Sequence, residues 1–182
     1  MNIDIFVGED RNFGENKLYV DLVPNSCWFT NVRYCVKPGD WILIRKIVYK
    51  RIGYICECCK IDCIKYKIPI EAHERWSYNY ITFTQKLERI IGLCKKCHMT
   101  THIGFAKISG KEDEALEHLK KVRNFNLEEL KEHVDIAYSI WNERNQYEWV
   151  LDLDIIISNG FEIVKPIGFA ERKNVVNQKI KL

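Results

Sequence analysis

The spacing of apolar and polar residues changes period several times along this 182-residue chain, and each change predicts an element. Leu18 to Val23 reads as a short strand stopped by Pro24. Asp40 then stands as an N-cap. Behind it Trp41, Ile44, Ile47 and Val48 share one helical stripe, and Gly53 is a plausible stop. Ile68 to His73 reads as a strand ending at His73, and Glu74 to Thr84, with Trp76, Tyr78 and Tyr80, reads as a loop. Leu87 to Leu93 reads as a second strand running into Cys94. From His98 the spacing turns helical as far as Ile108, with a break at Ser109-Gly110. Two further helices follow. One covers Glu112 to Val122. The other starts at Asn126, which caps it with Glu129 three residues on, and it carries Leu130, Val134, Ala137, Tyr138 and Trp141 at helical spacing. Trp149 to Ile157 has the composition of a strand, and Asn159-Gly160 is a turn signal.

This order of elements predicts an α+β chain in four parts: an N-terminal mixed segment with a basic helix (1–53), a compact core (54–110), a helical appendage with a terminal strand (111–165) and a basic tail (166–182). Charge follows these parts. Residues 1–110 carry 17 Lys/Arg against 11 Asp/Glu, a balance of +6, while residues 111–154 carry 6 against 12, a balance of −6. Basic charge around the core suits a polyanionic partner. Candidate phosphate contacts are Arg45, Lys46, Lys50 and Arg51 on the flank of the first helix, together with Arg75, Lys95 and Lys96. The acidic appendage could be a dimer surface, a target-selection module or structural support, so a homodimer is among the expectations.

No apolar run approaches the roughly 18 residues of a membrane span, so no membrane partner is expected. The start Met1 to Phe6 lacks the basic and apolar regions of a secretory signal, so the expected compartment is the cytoplasm. Eight cysteines there point to metal or reactive thiols rather than disulfides.

The cysteine spacing sharpens this. Cys56-x-x-Cys59 and Cys94-x-x-Cys97 are two knuckles, each presenting two thiolates, and together they complete one tetrahedral site suited to structural Zn²⁺. Cys58 could replace one ligand, but the two-residue spacing favours Cys56 with Cys59. Cys27, Cys35 and Cys63 fit buried small residues. His98 and His102 are four apart on a helix, so two imidazoles share a face and could grip a second cation. His118 and His133 read as surface or packing residues.

With these residues assembled, "C-x-x-C … EAHERW … LCKKCHMTTH" resembles the HNH endonuclease family, the ββα-metal fold, over roughly residues 54–106. The resemblance implies a zinc-backed hairpin and helix that cuts DNA, leaving 5′-phosphate and 3′-hydroxyl ends. It implies His73 as general base activating water, and His98 and His102 as ligands of a catalytic divalent metal such as Mg²⁺, Mn²⁺, Ni²⁺ or Zn²⁺. A register shifted by one makes His73 a metal ligand and puts Glu74 where the base would stand. Arg75 follows the motif and could hold a phosphate. The place of the family's middle Asn is taken by Arg89. Three functions therefore stand open: a DNA endonuclease, a zinc-stabilised nucleic-acid-binding protein without catalysis, and a zinc-mediated protein-interaction module.

Overall fold

A computed structural model of the chain describes residues 6–28 and 31–164. The expected basic tail, 166–182, lies outside the described residues.

The centre is a β-hairpin. Strand β1 is Ile70–Asn79 and β2 is Thr84–Cys94. They pair antiparallel from Ile70 opposite Cys94 to Asn79 opposite Thr84, with a bulge between Arg75 and Trp76. The strands run well past the sequence expectation, which ends the first at His73 and makes Glu74 to Thr84 a loop. The reason is that His73 to Trp76 are all buried, three of them polar or charged, so the sequence shows no division between a buried and a solvent face there. The true turn is short. Asn79 Oδ1 accepts from the amides of Ile81 and Thr82, at 2.9 and 3.1 Å, and folds the chain back. Strand β3, Val150–Asp152, then adds parallel to the start of β2, giving the order β1-β2-β3. Tyr78, Tyr80, Phe83 and Tyr147 pack around the buried Trp149 and fasten β3 to the hairpin tip. The expected long strand to Ile157 stops early because Asp152 Oδ1 accepts the Asp154 amide at 2.9 Å. A short helix, Asp154–Ser158, follows instead.

Helices cover both faces of the sheet. The four-residue α1 is Val32–Cys35 and α2 is Pro38–Arg51. Proline occupies the first turn of α2, so Asp40 lies within that turn and not at the cap. On this face Ile44 and Val48 of α2 meet Trp76, Leu87 and Ile90 of the hairpin, with Phe6, Leu151, Leu153, Ile155 and Ile156 around them. The chain leaves β2 directly into α3, Lys95–Thr101, then α4, Ile103–Ile108, with the helical path breaking at His102. Next come α5, Glu112–Arg123, and α6, Leu127–Arg144, the latter closed by the expected Asn126/Glu129 capping box. We label the final short helix, Asp154–Ser158, α7. On this second face Ile91 and Leu93 meet Ile103, Ala106, Ala115 and Leu119.

Residues 18–23 lie across the second face in extended form, without a strand partner. They are held there by single hydrogen bonds: the Asp21 amide to the Thr101 carbonyl (3.0 Å), the Val20 amide to His133 Nε2 (3.1 Å) and Arg123 Nη1 to the Leu18 carbonyl (2.8 Å). The expected strand is therefore an extended strap. Among the described residues, no helix is long and apolar enough to cross a membrane.

Candidate metal centres

Two clusters of metal-ligating side chains form on the second face of the hairpin. The first is Cys56, Cys59, Cys94 and Cys97, whose sulfurs all lie within 4.8 Å of one another. None of Cys56, Cys59, Cys94 and Cys97 is joined in a disulfide. Four sulfurs about 2.3 Å from a central Zn²⁺ would stand about 3.8 Å apart, so the donor set and its spacing fit a tetrahedral ion. The Cys59 and Cys94 sulfurs are 3.6 Å apart. The geometry arises locally. Cys94 ends β2 and caps α3, which places Cys97 one turn above it. Residues 54–68 fold into tight turns, with Tyr54, Lys60 and Lys67 at positive φ, and the Cys56 amide donates to the Ile61 carbonyl at 3.0 Å. Hydrogen bonds among the four sulfurs hold the Cys56 thiol down to about 6 and the Cys94 thiol well below its ordinary value, and push the Cys59 and Cys97 thiols up. Cys58 stands outside the group, and burial pushes its thiol up to about 12.

The second cluster is His73, His98 and His102, whose ring nitrogens also lie within 4.8 Å of one another. The rings meet edge to face, with centroids 5.4 Å (His73–His98), 4.8 Å (His73–His102) and 4.7 Å (His98–His102) apart. His73 comes from β1. His98 sits in α3 and His102 is the residue at which α3 gives way to α4. His98 Nδ1 donates to Glu71 Oε2 at 2.5 Å. This contact fixes the ring so that Nε2 is left for the cluster, the arrangement in which a carboxylate orients a metal-binding imidazole. The same bond holds the Glu71 carboxyl below its usual range.

His73 is buried, and neither of its ring nitrogens has a hydrogen-bond partner. A buried imidazole with two idle nitrogens is costly unless something binds there. Burial holds His73 well below the ordinary histidine value, helped by the neighbouring charges of His102 and His98. His102 is held down to about 3, again by burial first and His98 second. Neutral imidazole is the form that metal coordination needs, and burial holds His73 and His102 in it.

The remaining sequence candidates divide sharply. Glu74 pairs with Ile90 across the hairpin and lies on the opposite face from His73. It is buried and accepts the Val32 amide at 2.9 Å, so the structure does not bring it to the imidazoles. Arg75 shares the face of His73 but is sealed from solvent. Its guanidinium sits 3.7 Å over the Tyr19 ring, and Nη2 donates to the Lys17 carbonyl at 3.1 Å. Arg89 is equally sealed. It donates to the carbonyls of Arg11 (2.6 Å) and Glu15 (3.0 Å) and to Glu57 Oε1 (2.8 Å), so it pins the 9–16 loop. Arg51 turns inward and pairs with Glu9 at 2.6 and 2.9 Å. Arg45, Lys46, Lys50, Lys95 and Lys96 stay exposed. Of these, Lys95 lies by the imidazole cluster, its charge felt by Glu71, whereas Arg45 belongs to α2, which packs on the opposite face of the hairpin.

Sequence reasoning missed three residues. Glu71 was findable, because two residues before His73 on a strand means the same face. Glu57 and His118 carried no signal, since each acts through a partner distant in sequence. His118 reaches the sulfur cluster, while His133 is a packing residue as expected. Compared with known proteins, the chain matches no family model, no curated protein and no solved structure.

Proposed function

We propose that this chain is a metal-dependent phosphodiester hydrolase acting on DNA, with a structural Zn²⁺ in the four-cysteine cluster and a divalent cation at His73, His98 and His102. The observation that carries this reading is the convergence of three imidazoles, one of them buried with both nitrogens idle, on a hairpin-then-helix unit that also carries the four thiols. The order β1, β2, α3 and the placement of the cysteines behind the histidines support the likeness to HNH endonucleases.

Of the two registers, the geometry favours His73 as a ligand. A general base needs contact with the attacking water, and both His73 nitrogens are closed to solvent. Imidazole donors suit Zn²⁺, Ni²⁺ or Mn²⁺ better than Mg²⁺. A bound cation there would offset charge on a phosphoryl oxygen as the phosphodiester is hydrolysed. The chain's own contribution is orientation: Glu71 fixes His98, the hairpin fixes His73, and exposed Lys95, whose charge Glu71 feels, offers charge to a phosphate backbone.

The test is cleavage of supercoiled plasmid by purified protein supplied with Zn²⁺, Mn²⁺, Ni²⁺ or Mg²⁺. Nicking or linearisation that is lost in H98A and H102A, with the fold intact by circular dichroism, is the expected result. No cleavage with any metal refutes the hydrolase reading. Salt-dependent gel shifts without cleavage would instead establish a nucleic-acid-binding protein without catalysis.

A further inference from the structure

His118 belongs to the acidic appendage, yet the fold sets it against the sulfur cluster. Its Nε2 lies 3.2 Å from Cys97 Sγ. Among the described residues it is the one side chain outside the two Cys-x-x-Cys segments that hydrogen-bonds a cluster sulfur. The placement has local causes. Ala115 and Leu119 bury the inner stripe of α5 in the second core. Thr100 Oγ1 of α3 donates to the Ala115 carbonyl at 3.2 Å, and Lys96 pairs with Glu114 at 3.5 Å. Glu114, His118 and Lys121 then border a cavity of about 770 Å³ that also opens on Cys58, Cys59 and Cys94.

Electrostatics gives the contact a use. Four thiolates around a divalent cation carry a net charge of −2. Cys56, Cys94 and Cys97 are 0%, 3% and 0% exposed, so water offers them little compensation. Donors aimed at the sulfurs must supply it, and such donors also fix ligand orientation.

We infer that His118 is a positioning residue of the sulfur centre: its Nε2–H donates to the Cys97 thiolate and thereby ties α5 to the metal. This rests on the reading of the four cysteines as a metal centre. Loading the centre tightens the docking of the acidic appendage on the hairpin, and emptying it releases one of the ties. The hydrogen bond also draws charge off Cys97, which slows metal loss.

The experiment loads the full chain with Co²⁺ and follows the sulfur-to-cobalt charge-transfer band and the rate of cobalt loss to excess EDTA. Wild type, H118F, H118Q and H133F are compared; H133F removes a packing histidine that hydrogen-bonds no cluster sulfur. H118F is expected to shift the band and to lose cobalt about 10–100-fold faster, the range typical of losing an outer hydrogen bond to a ligand. H118Q, which keeps an N–H, falls between, and H133F leaves the band in place. A band and release rate in H118F equal to wild type would overturn the inference. So would a wild-type spectrum of three sulfurs and one nitrogen that H118F converts, since His118 would then be a ligand. Should H118F fail to fold, the comparison of H118Q with wild type decides, and equal release rates overturn the inference. Wild-type protein that takes up no cobalt with thiolate absorption refutes the metal centre itself, a distinct outcome.

Discussion

Most of this chain's arginines near the core work inside it. Arg89, counted from sequence as a departure at a catalytic position, is fully buried and spends its donors on carbonyls of the 9–16 loop and on Glu57. Glu57 in turn accepts from Arg11 at 2.5 Å and from the Gly92 amide at 2.6 Å. Removing one partner of a buried ionic network leaves the other uncompensated, which typically costs about 3–5 kcal/mol. Glu57→Gln should therefore lower the unfolding free energy, read from urea denaturation, by an amount of that order. Lys46→Ala, on an exposed flank, should move it by no more than about 0.5 kcal/mol. Equal shifts would mean that the network contributes nothing. Glu71 offers the opposite contrast. It is 38% exposed on its side chain and touches the imidazole cluster through His98. Glu71→Ala should leave unfolding nearly unchanged and weaken Zn²⁺ or Ni²⁺ binding by His73, His98 and His102 about 10–100-fold, read by calorimetry in protein whose cysteine centre is already filled. The cysteines and histidines that the structure gathers into two clusters were legible one by one as candidates, because their chemistry restricts what they can be. Arg75, Arg89 and Glu57 were not, because a charged residue looks the same in sequence whether it faces solvent or a distant partner.

Elements defined by local chemistry were legible, and elements defined by what covers them were not. The Asn126/Glu129 box forms as read, since both partners lie within one turn. The hairpin was half read. Its far half alternates polar and aromatic residues, and only burial of Trp76 against the α2 core shows that these are strand positions. Gly92 shows the same dependence on tertiary contact. A Cβ there would stand 2.1 Å from Ile52 Cδ1 and 3.6 Å from Val48 Cγ1, so α2 lies close over β2 because this residue has no side chain. Gly92→Ala should destabilise the protein by about 1–3 kcal/mol, the usual cost of overpacking. The main clash is one methyl group, so Ile52→Val in the same chain should recover most of that loss. A double variant no more stable than Gly92→Ala would place the cost in the backbone and not in the contact with α2.

Across the whole molecule the two centres should have different thermodynamic weight, although both lie on one face of one hairpin. The sulfur centre joins the turns around Cys56 and Cys59, the end of β2 and the start of α3, and through His118 it touches α5. It sits within the second hydrophobic core, beside Ile91, Leu93 and Ile103. A metal bound there brings together segments with no strand ladder to hold them: residues 54–69 contribute only an isolated bridge between Ile55 and Asp62. Structural zinc bound by small sulfur sites contributes on the order of 10 kcal/mol, comparable to the whole stability of a domain. The imidazole centre joins β1 to the α3–α4 junction, which the chain already fixes through the direct run of β2 into α3. On the proposed reading, a metal held there should therefore add function with little stability. Cys97→Ser should abolish the cooperative thermal transition of the second core, followed by circular dichroism, whereas the double variant H98A/H102A should melt within a few degrees of wild type while losing the second metal equivalent. If the two variants melt alike, the division of labour between a centre that holds the fold and a centre that faces the substrate is wrong, and the four cysteines would have to be read as ordinary core residues.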